Sequence, residues 1–130
     1  MVYLLDTHIV LWLNYEPHKI TYELEQILLN KNHKVYFSSV NIWEVAIKAR
    51  LGKLDIVGAN PKGLYDDLLD GGYDELPVLS KHCVQLENLP FVHRDPFDRL
   101  LISQAMSENL TLITYDNCIL KYDCVKALKI

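Results

Sequence analysis

Short, mainly apolar runs alternate along this chain with stretches of helical periodicity, and each run stops at a polar residue. Val2-Tyr3-Leu4-Leu5 ends at Asp6, Val35-Tyr36-Phe37 at Ser38-Ser39, and Thr111-Leu112-Ile113-Thr114 at Tyr115-Asp116. A run with no polar alternation fits a strand covered on both faces, as in a parallel sheet. Between the runs, Thr7 to Asn14 carries Ile9, Leu11, Trp12 and Leu13 at helical spacing. Thr21 to Asn30 places Leu24, Ile27 and Leu28 on one face. Val40, Trp43, Ile47 and Leu51 form an apolar stripe on a helix that Gly52 stops. Asn60-Pro61 opens a shorter helix to Asp70, closed by Gly71-Gly72. Leu76-Pro77-Val78-Leu79 predicts a short strand, and Ser80 is expected to cap a helix towards Leu89. Asp95-Pro96 begins a helix to Asn109 with Leu101, Ile102, Ala105 and Met106 facing inward, and Val125 to Ile130 predicts an edge strand. Strands alternating with helices predict an α/β layered domain around a mainly parallel central sheet. No repeat or linker divides the 130 residues, so residues 1–130 are expected to form one domain.

Composition narrows the function classes. An apolar share of 50% with 23% charged residues argues against disorder. No apolar run approaches the ~18 residues that cross a bilayer. Met1 to Asp6 lacks a basic start and a long apolar stretch, so a cytoplasmic protein with no membrane partner is expected. Cys83, Cys118 and Cys124 show no CxxC spacing and no ligand-type pairing with the histidines. Free thiols are therefore expected, and no zinc site. The net charge of −4 is not that of a protein holding nucleic acid by bulk charge.

In parallel α/β folds, reacting groups gather beyond the carboxyl ends of the strands. Asp6 and Asp116 follow the first and last of the three apolar runs directly. Ser38-Ser39 leads into the helix that carries Glu44, and Asp98 falls in the first turn of the Pro96 helix. Each acid has a plainer reading. Asp6 and Asp116 suit helix capping. Asp95 suits an N-cap with Pro96 at the first helical position, and Asp98 then favours the helix dipole. Glu44 and Lys48 make an i, i+4 pair. Jointly the pattern says more. Four ionised carboxylates at one place repel, and a divalent cation relieves that repulsion. Oxygen ligands suit Mg²⁺ or Mn²⁺. With the four acids set aside, 13 acidic residues face 13 basic ones, and a polyanion is no longer opposed.

The same residues carry a family resemblance. Leu4-Leu5-Asp6-Thr7-His8, Ser38 to Lys48, His93-Arg94-Asp95-Pro96-Phe97-Asp98-Arg99-Leu100-Leu101-Ile102-Ser103-Gln104-Ala105, and Leu112-Ile113-Thr114-Tyr115-Asp116 resemble the signature blocks of the PIN domain, in order and over nearly the whole chain. The likeness is closest to VapC-type toxins of toxin–antitoxin pairs. It implies a three-layer α/β/α fold and a Mg²⁺- or Mn²⁺-dependent endoribonuclease. It further implies a homodimer and inhibition by a cognate antitoxin protein. By position, Asp6, Glu44, Asp98 and Asp116 match the family's catalytic, metal-holding quartet. Asp6 and Asp98 are taken as the central ligands, with Glu44 and Asp116 completing the site directly or through water. Thr7 and Thr114 match supporting hydroxyl positions, with ordinary capping as their other reading, and Asp95 is assigned to capping. Lys48, Arg50, Lys53, Arg94 and Arg99 are candidates for RNA phosphate contacts, each equally readable as a solvated charge. Trp12 and Trp43 are read as core or dimer interface rather than as base-stacking platforms. The alternatives are a non-catalytic RNA- or protein-binding module and a structure-specific DNA nuclease. A phosphatase using Asp6 as a covalent nucleophile is a further rival, although His8 stands where such enzymes usually want a second Asp.

Overall fold

The computed structural model describes all residues 1–130. Five strands form one parallel sheet in the order β3-β2-β1-β4-β5: β1 Val2–Leu5, β2 Lys34–Ser38, β3 Asp74–Leu76, β4 Thr111–Thr114 and β5 Lys126–Lys129. Six α-helices surround it: α1 Thr7–Tyr15, α2 Tyr22–Leu29, α3 Ser39–Arg50, α4 Pro61–Asp70, α5 Ser80–Gln85 and α6 Pro96–Glu108. The layers are α/β/α. No helix is long and apolar enough to cross a membrane.

The period-two alternation of a strand divides the core between the two helical layers. Tyr3 and Leu5 of β1, Phe37 of β2 and Ile113 of β4 pack with Ile9, Val10, Leu24, Val45, Leu64 and Leu68 of α1 to α4. Leu4 and Leu112 point the other way, onto Leu100, Leu101, Ile102 and Ala105 of α6. Central strands covered on both sides are thus apolar through their middle, with no polar alternation, which is why β1 and β4 stand out in the sequence.

Local chemistry sets the helix ends. The Thr21 hydroxyl accepts the Leu24 N–H at 3.2 Å and caps α2, and Asn60 caps α4 ahead of Pro61. Asn109, at φ 54°, ends α6 in the left-handed region, where Asn is tolerated.

Three expectations need correction. The strand expected over Leu76–Leu79 lies at Asp74–Leu76, paired with Tyr36–Ser38. Pro77 has no N–H to continue the ladder, and Asp74 and Glu75 are exposed, as an edge strand allows. The α5 cap is Leu79 rather than Ser80, and α5 gives way to a 3₁₀ turn at Leu86–Asn88. There the ring of fully buried His82 replaces a hydroxyl cap, its Nδ1 accepting the Leu79 N–H at 2.9 Å. The stripe Val40, Trp43, Ile47, Leu51 does not face the core: beyond Val40 its members are exposed, Trp43 to 49%. The face that α3 buries is Val40, Asn41, Glu44 and Val45. Trp43 instead meets Phe97 edge-on, ring centroids 4.7 Å apart.

Candidate metal centre

The ends of β1 and β4 each contribute an acid to one edge of the sheet. Asp6 ends β1 and caps α1, its Oδ1 accepting the His8 N–H at 3.4 Å. Its Oδ2 accepts the Thr114 hydroxyl proton at 2.6 Å, and the Thr114 oxygen in turn accepts the Asp116 N–H at 2.9 Å. One hydroxyl therefore holds both acids at the ends of neighbouring strands. Asp116 is steadied further by the Cys118 N–H, 2.8 Å from its Oδ1.

Asp98 enters from the first turn of α6. Asp95 caps this helix, its Oδ1 accepting the N–H groups of Phe97 at 2.9 Å and Asp98 at 3.4 Å, which is the capping role expected of it. Glu44 is buried on α3. Lys48 lies one turn on, its Nζ 2.5 Å from Glu44 Oε2 and 3.9 Å from Asp95 Oδ2. Lys48 is thus a counter-charge to the acids rather than a free phosphate contact. The other Glu44 oxygen, Oε1, is buried and has no partner.

Burial first, then the charges of Asp6, Asp95, Glu44 and Asp116, push Asp98 up to about 9. Burial also raises Asp6, against the Thr114 hydrogen bond and the nearby His8. For Lys48, burial works downward. The hydrogen bond and charge of Glu44, then Asp95 and Asp98, outweigh it and keep the ammonium charged. The acids therefore meet as one electrostatic unit with more negative charge than the site stabilises unaided. An orphaned buried carboxylate oxygen and a carboxyl driven towards its neutral form make this a place that a divalent cation would suit. A donor set of carboxylate oxygens fits Mg²⁺ or Mn²⁺ better than Zn²⁺.

Three residues that matter here were not singled out by the sequence reasoning. His93 Nε2 lies 2.8 Å from Asp98 Oδ2 and 3.2 Å from Asp116 Oδ2, and the three side chains together form a possible ligand group. The ring is aimed from its other side, Nδ1 accepting the Asp95 N–H at 3.4 Å. That leaves the hydrogen on Nε2, facing the two acids. Tyr122 holds the loop in turn, its hydroxyl accepting the N–H groups of Val92 at 3.2 Å and His93 at 2.8 Å. Asn41 joins the β1 and β2 ends. Its Oδ1 accepts the Ser38 N–H at 2.7 Å, and its Nδ2 donates to Leu5 O at 3.3 Å and to Thr7 Oγ1 at 3.0 Å. The Ser38-x-x-Asn41 capping spacing was the available signal for Asn41. His93 gave none beyond its place beside the Asp95 block.

The remaining candidates divide. Thr7 is buried and bonded to Asn41 rather than to an acid. Arg99 is tied into the loop: its guanidinium donates to Pro90 O at 3.0 Å and to the Tyr122 hydroxyl at 3.3 Å, and it stacks on Phe91. Its guanidinium thus serves the loop in this structure. Arg50, Lys53 and Arg94 are exposed.

Comparison with known proteins follows this geometry. A family model described as the PIN domain matches residues 3–123. No curated protein sequence matches the chain. Among solved structures, a chain of VapBC2 from Rickettsia felis, bound to a promoter DNA fragment, is 21% identical. The match covers 99% of this chain and 98% of that one, with a TM-score of 0.75. Chains of DNA-bound VapBC from Salmonella typhimurium (16% identical, TM-score 0.68) and of VapBC-5, a toxin–antitoxin system member from Mycobacterium tuberculosis (17%, 0.67), match with the same coverage. At these identities the likeness is one of fold.

Proposed function

The chain belongs to the PIN domain family, and on that premise we propose that it is a divalent-metal-dependent endoribonuclease, the toxin half of a toxin–antitoxin pair. The carrying observation is the convergence of Asp6, Glu44, Asp98 and Asp116 on one sheet edge, with Asp98 pushed up to about 9 by burial and by the other acids. The residues that would hold Mg²⁺ or Mn²⁺ are Asp6, Asp98 and Asp116, with Glu44 offering its unpartnered Oε1. When bound, such an ion supplies water activation and Lewis acidity for phosphodiester hydrolysis.

The chain's own residues supply position and charge. Thr114 fixes the spacing of Asp6 and Asp116 through its shared hydroxyl. His93 spans Asp98 and Asp116 through one N–H, so these carboxylates are oriented before any ligand arrives. Asn41 locks the two turns from which Asp6 and Glu44 project. The Lys48 ammonium moderates the field that an approaching phosphate meets. Arg50, Lys53 and Arg94 are exposed, which supports them as the cations that would meet a strand's backbone.

The VapBC neighbours support a cognate antitoxin as partner. Trp43, Ile47 and Leu51 on α3, with Tyr65 and Leu69 on α4, leave apolar surface exposed, which supports a second chain there in a homodimer.

The test is cleavage of an RNA pool by purified protein with Mn²⁺ or Mg²⁺, run beside Asp98→Asn and a chelator. Cutting that requires both the ion and Asp98 is the expected result. Cutting that persists in the chelator or in Asp98→Asn overturns the reading, as does cutting of single-stranded DNA alone.

A further inference from the structure

A cleft of about 300 Å³ opens beside the acid cluster. The two are continuous, because Glu44 and Lys48 of the cluster and Thr7 beside Asp6 also line the cleft. Part of its wall is aromatic. The Tyr115 ring lies 4.7 Å from Trp12 and 5.1 Å from His8, centroid to centroid, and is itself exposed. The segment Lys53 to Ile56 contributes to the lining as well. The cleft's formal charges cancel: Glu16, Glu44 and Asp55 against Lys19, Lys48 and Lys53.

That combination selects a ligand class. A phosphate subsite carries an excess of positive charge. A charge-balanced cleft whose wall offers an exposed aromatic ring suits a neutral, planar ring. Its volume stands at the lower end of the range for small-molecule sites, roughly 300–1,000 Å³, which suits one base and excludes a duplex. In a duplex the neighbouring bases cover the faces that would have to stack.

We propose that this cleft takes one nucleobase of a single-stranded RNA, stacked on Tyr115, while the adjoining phosphodiester lies over the acid cluster. The placement of the phosphodiester rests on the nuclease reading above. The base subsite does not, because stacking requires no cutting. Trp12 backs the Tyr115 ring, which gives this tryptophan a part in ligand binding beyond the core or dimer-interface role expected of it. Lys19 and Lys48 are engaged by Glu16 and Glu44, which leaves Lys53 to meet a flanking phosphate.

The experiment measures binding of a short, mixed-sequence, fluorescein-labelled RNA by anisotropy, against an abasic ribose-phosphate strand of equal length. Ca²⁺ is the divalent ion, and the strand is checked for integrity on a gel. Wild-type protein is expected to prefer the base-bearing strand. Tyr115→Ala should weaken that binding by roughly 5- to 100-fold, the loss of one base–aromatic stack, and leave the abasic strand unaffected. Tyr115→Phe should bind as wild type, because it keeps the ring. Lys53→Ala should lower the salt slope by about one for both strands. Equal affinity of the wild type for the two strands overturns the proposal, as does equal RNA binding by Tyr115→Ala and Tyr115→Phe. Loss of antitoxin binding by Tyr115→Ala with RNA binding intact overturns it too, and assigns the cleft to a protein partner. The two readings fail separately: base preference without metal-dependent cutting removes only the nuclease, and cutting without base preference removes only the subsite.

Discussion

Replacing Asp98 by Asn should stabilise the metal-free protein, although the same change should abolish its chemistry. Burial and the surrounding acids raise the Asp98 carboxyl from 3.8 to about 9. Between those values the folded chain holds a proton that the unfolded chain has released. Stability therefore falls as pH rises through this window. The cost is about 1.4 kcal/mol for each pH step. From 3.8 to pH 7 it reaches at most about 4 kcal/mol. Asn carries no proton to lose and escapes the cost. It still suits the first turn of α6, where the neutral Asp98 already contributes no charge to the helix dipole. With 2 to 4 kcal/mol recovered, a chain of this length should gain on the order of 10 °C in melting temperature at pH 7. The assay is thermal unfolding in a chelator, followed by circular dichroism at pH 4 and pH 7. The two proteins should melt close together at pH 4, where Asp98 is neutral in the folded chain and little more than half ionised in the unfolded one, so that little of the cost has accrued. Adding Mn²⁺ should raise the wild-type midpoint and leave the variant nearly unmoved. A variant no more stable than wild type at pH 7, or a gap equally wide at pH 4, would refute the electrostatic account of the site.

Three further outcomes follow from the same contacts. Lys48→Met leaves Glu44 buried without its counter-charge, so the metal-free protein should lose about 1–3 kcal/mol in urea unfolding. Saturating Mn²⁺ should return most of it, and an unchanged deficit with metal would show that Lys48 acts only by packing. Because Asp98 must release a proton to ligate, Mn²⁺ affinity by calorimetry should rise about tenfold per pH unit between pH 6 and 8, towards its pKa of about 9; a flat profile would remove Asp98 from the ligand set. Tyr122→Phe deprives the Val92 and His93 N–H groups of their acceptor. It should slow cleavage more than it lowers the melting temperature, and equal, small effects on both would make the loop irrelevant to the site.

The central strands were legible because double-sided burial removes polar residues from them, and that shows in the sequence directly. β3 was not legible. Its residues Asp74 and Glu75 are polar and exposed, and only pairing with β2 makes them a strand. The α3 stripe misled for a more instructive reason. Apolar periodicity locates the buried face of a helix when burial is driven by transfer from water alone. Here α3 turns Asn41 and Glu44 inward, where Asn41 ties two turns together and Glu44 joins the acids, and Trp43 and Ile47 are left outside. A functional site thus reversed the usual rule on the element where it has most to hold. The four acids were legible because strand ends and the Pro96 helix start fix their places. His93 was not, since a phenol 29 residues further along the chain positions its loop.

The block from Asp95 to Ala105 shows why chemistry and architecture are hard to separate in this fold. Asp95 caps α6 and Asp98 faces the acids. Arg99 binds the loop that presents His93. Further along the helix, buried Gln104 accepts the Ser38 hydroxyl proton at 2.5 Å and donates to Leu76 O and Pro77 O, so it clasps the ends of β2 and β3. The Ser103 hydroxyl donates to His82 O and fastens α5. Leu101, Ile102 and Ala105 fill the core between these polar contacts. Glu44 and Asp98 ride on α3 and α6, and Gln104 ties α6 to Ser38 at the start of α3. Residues of this block far from the acids therefore serve the site as well, because they hold α6 against the β2–α3 junction through hydrogen bonds whose loss would leave buried groups unpaired.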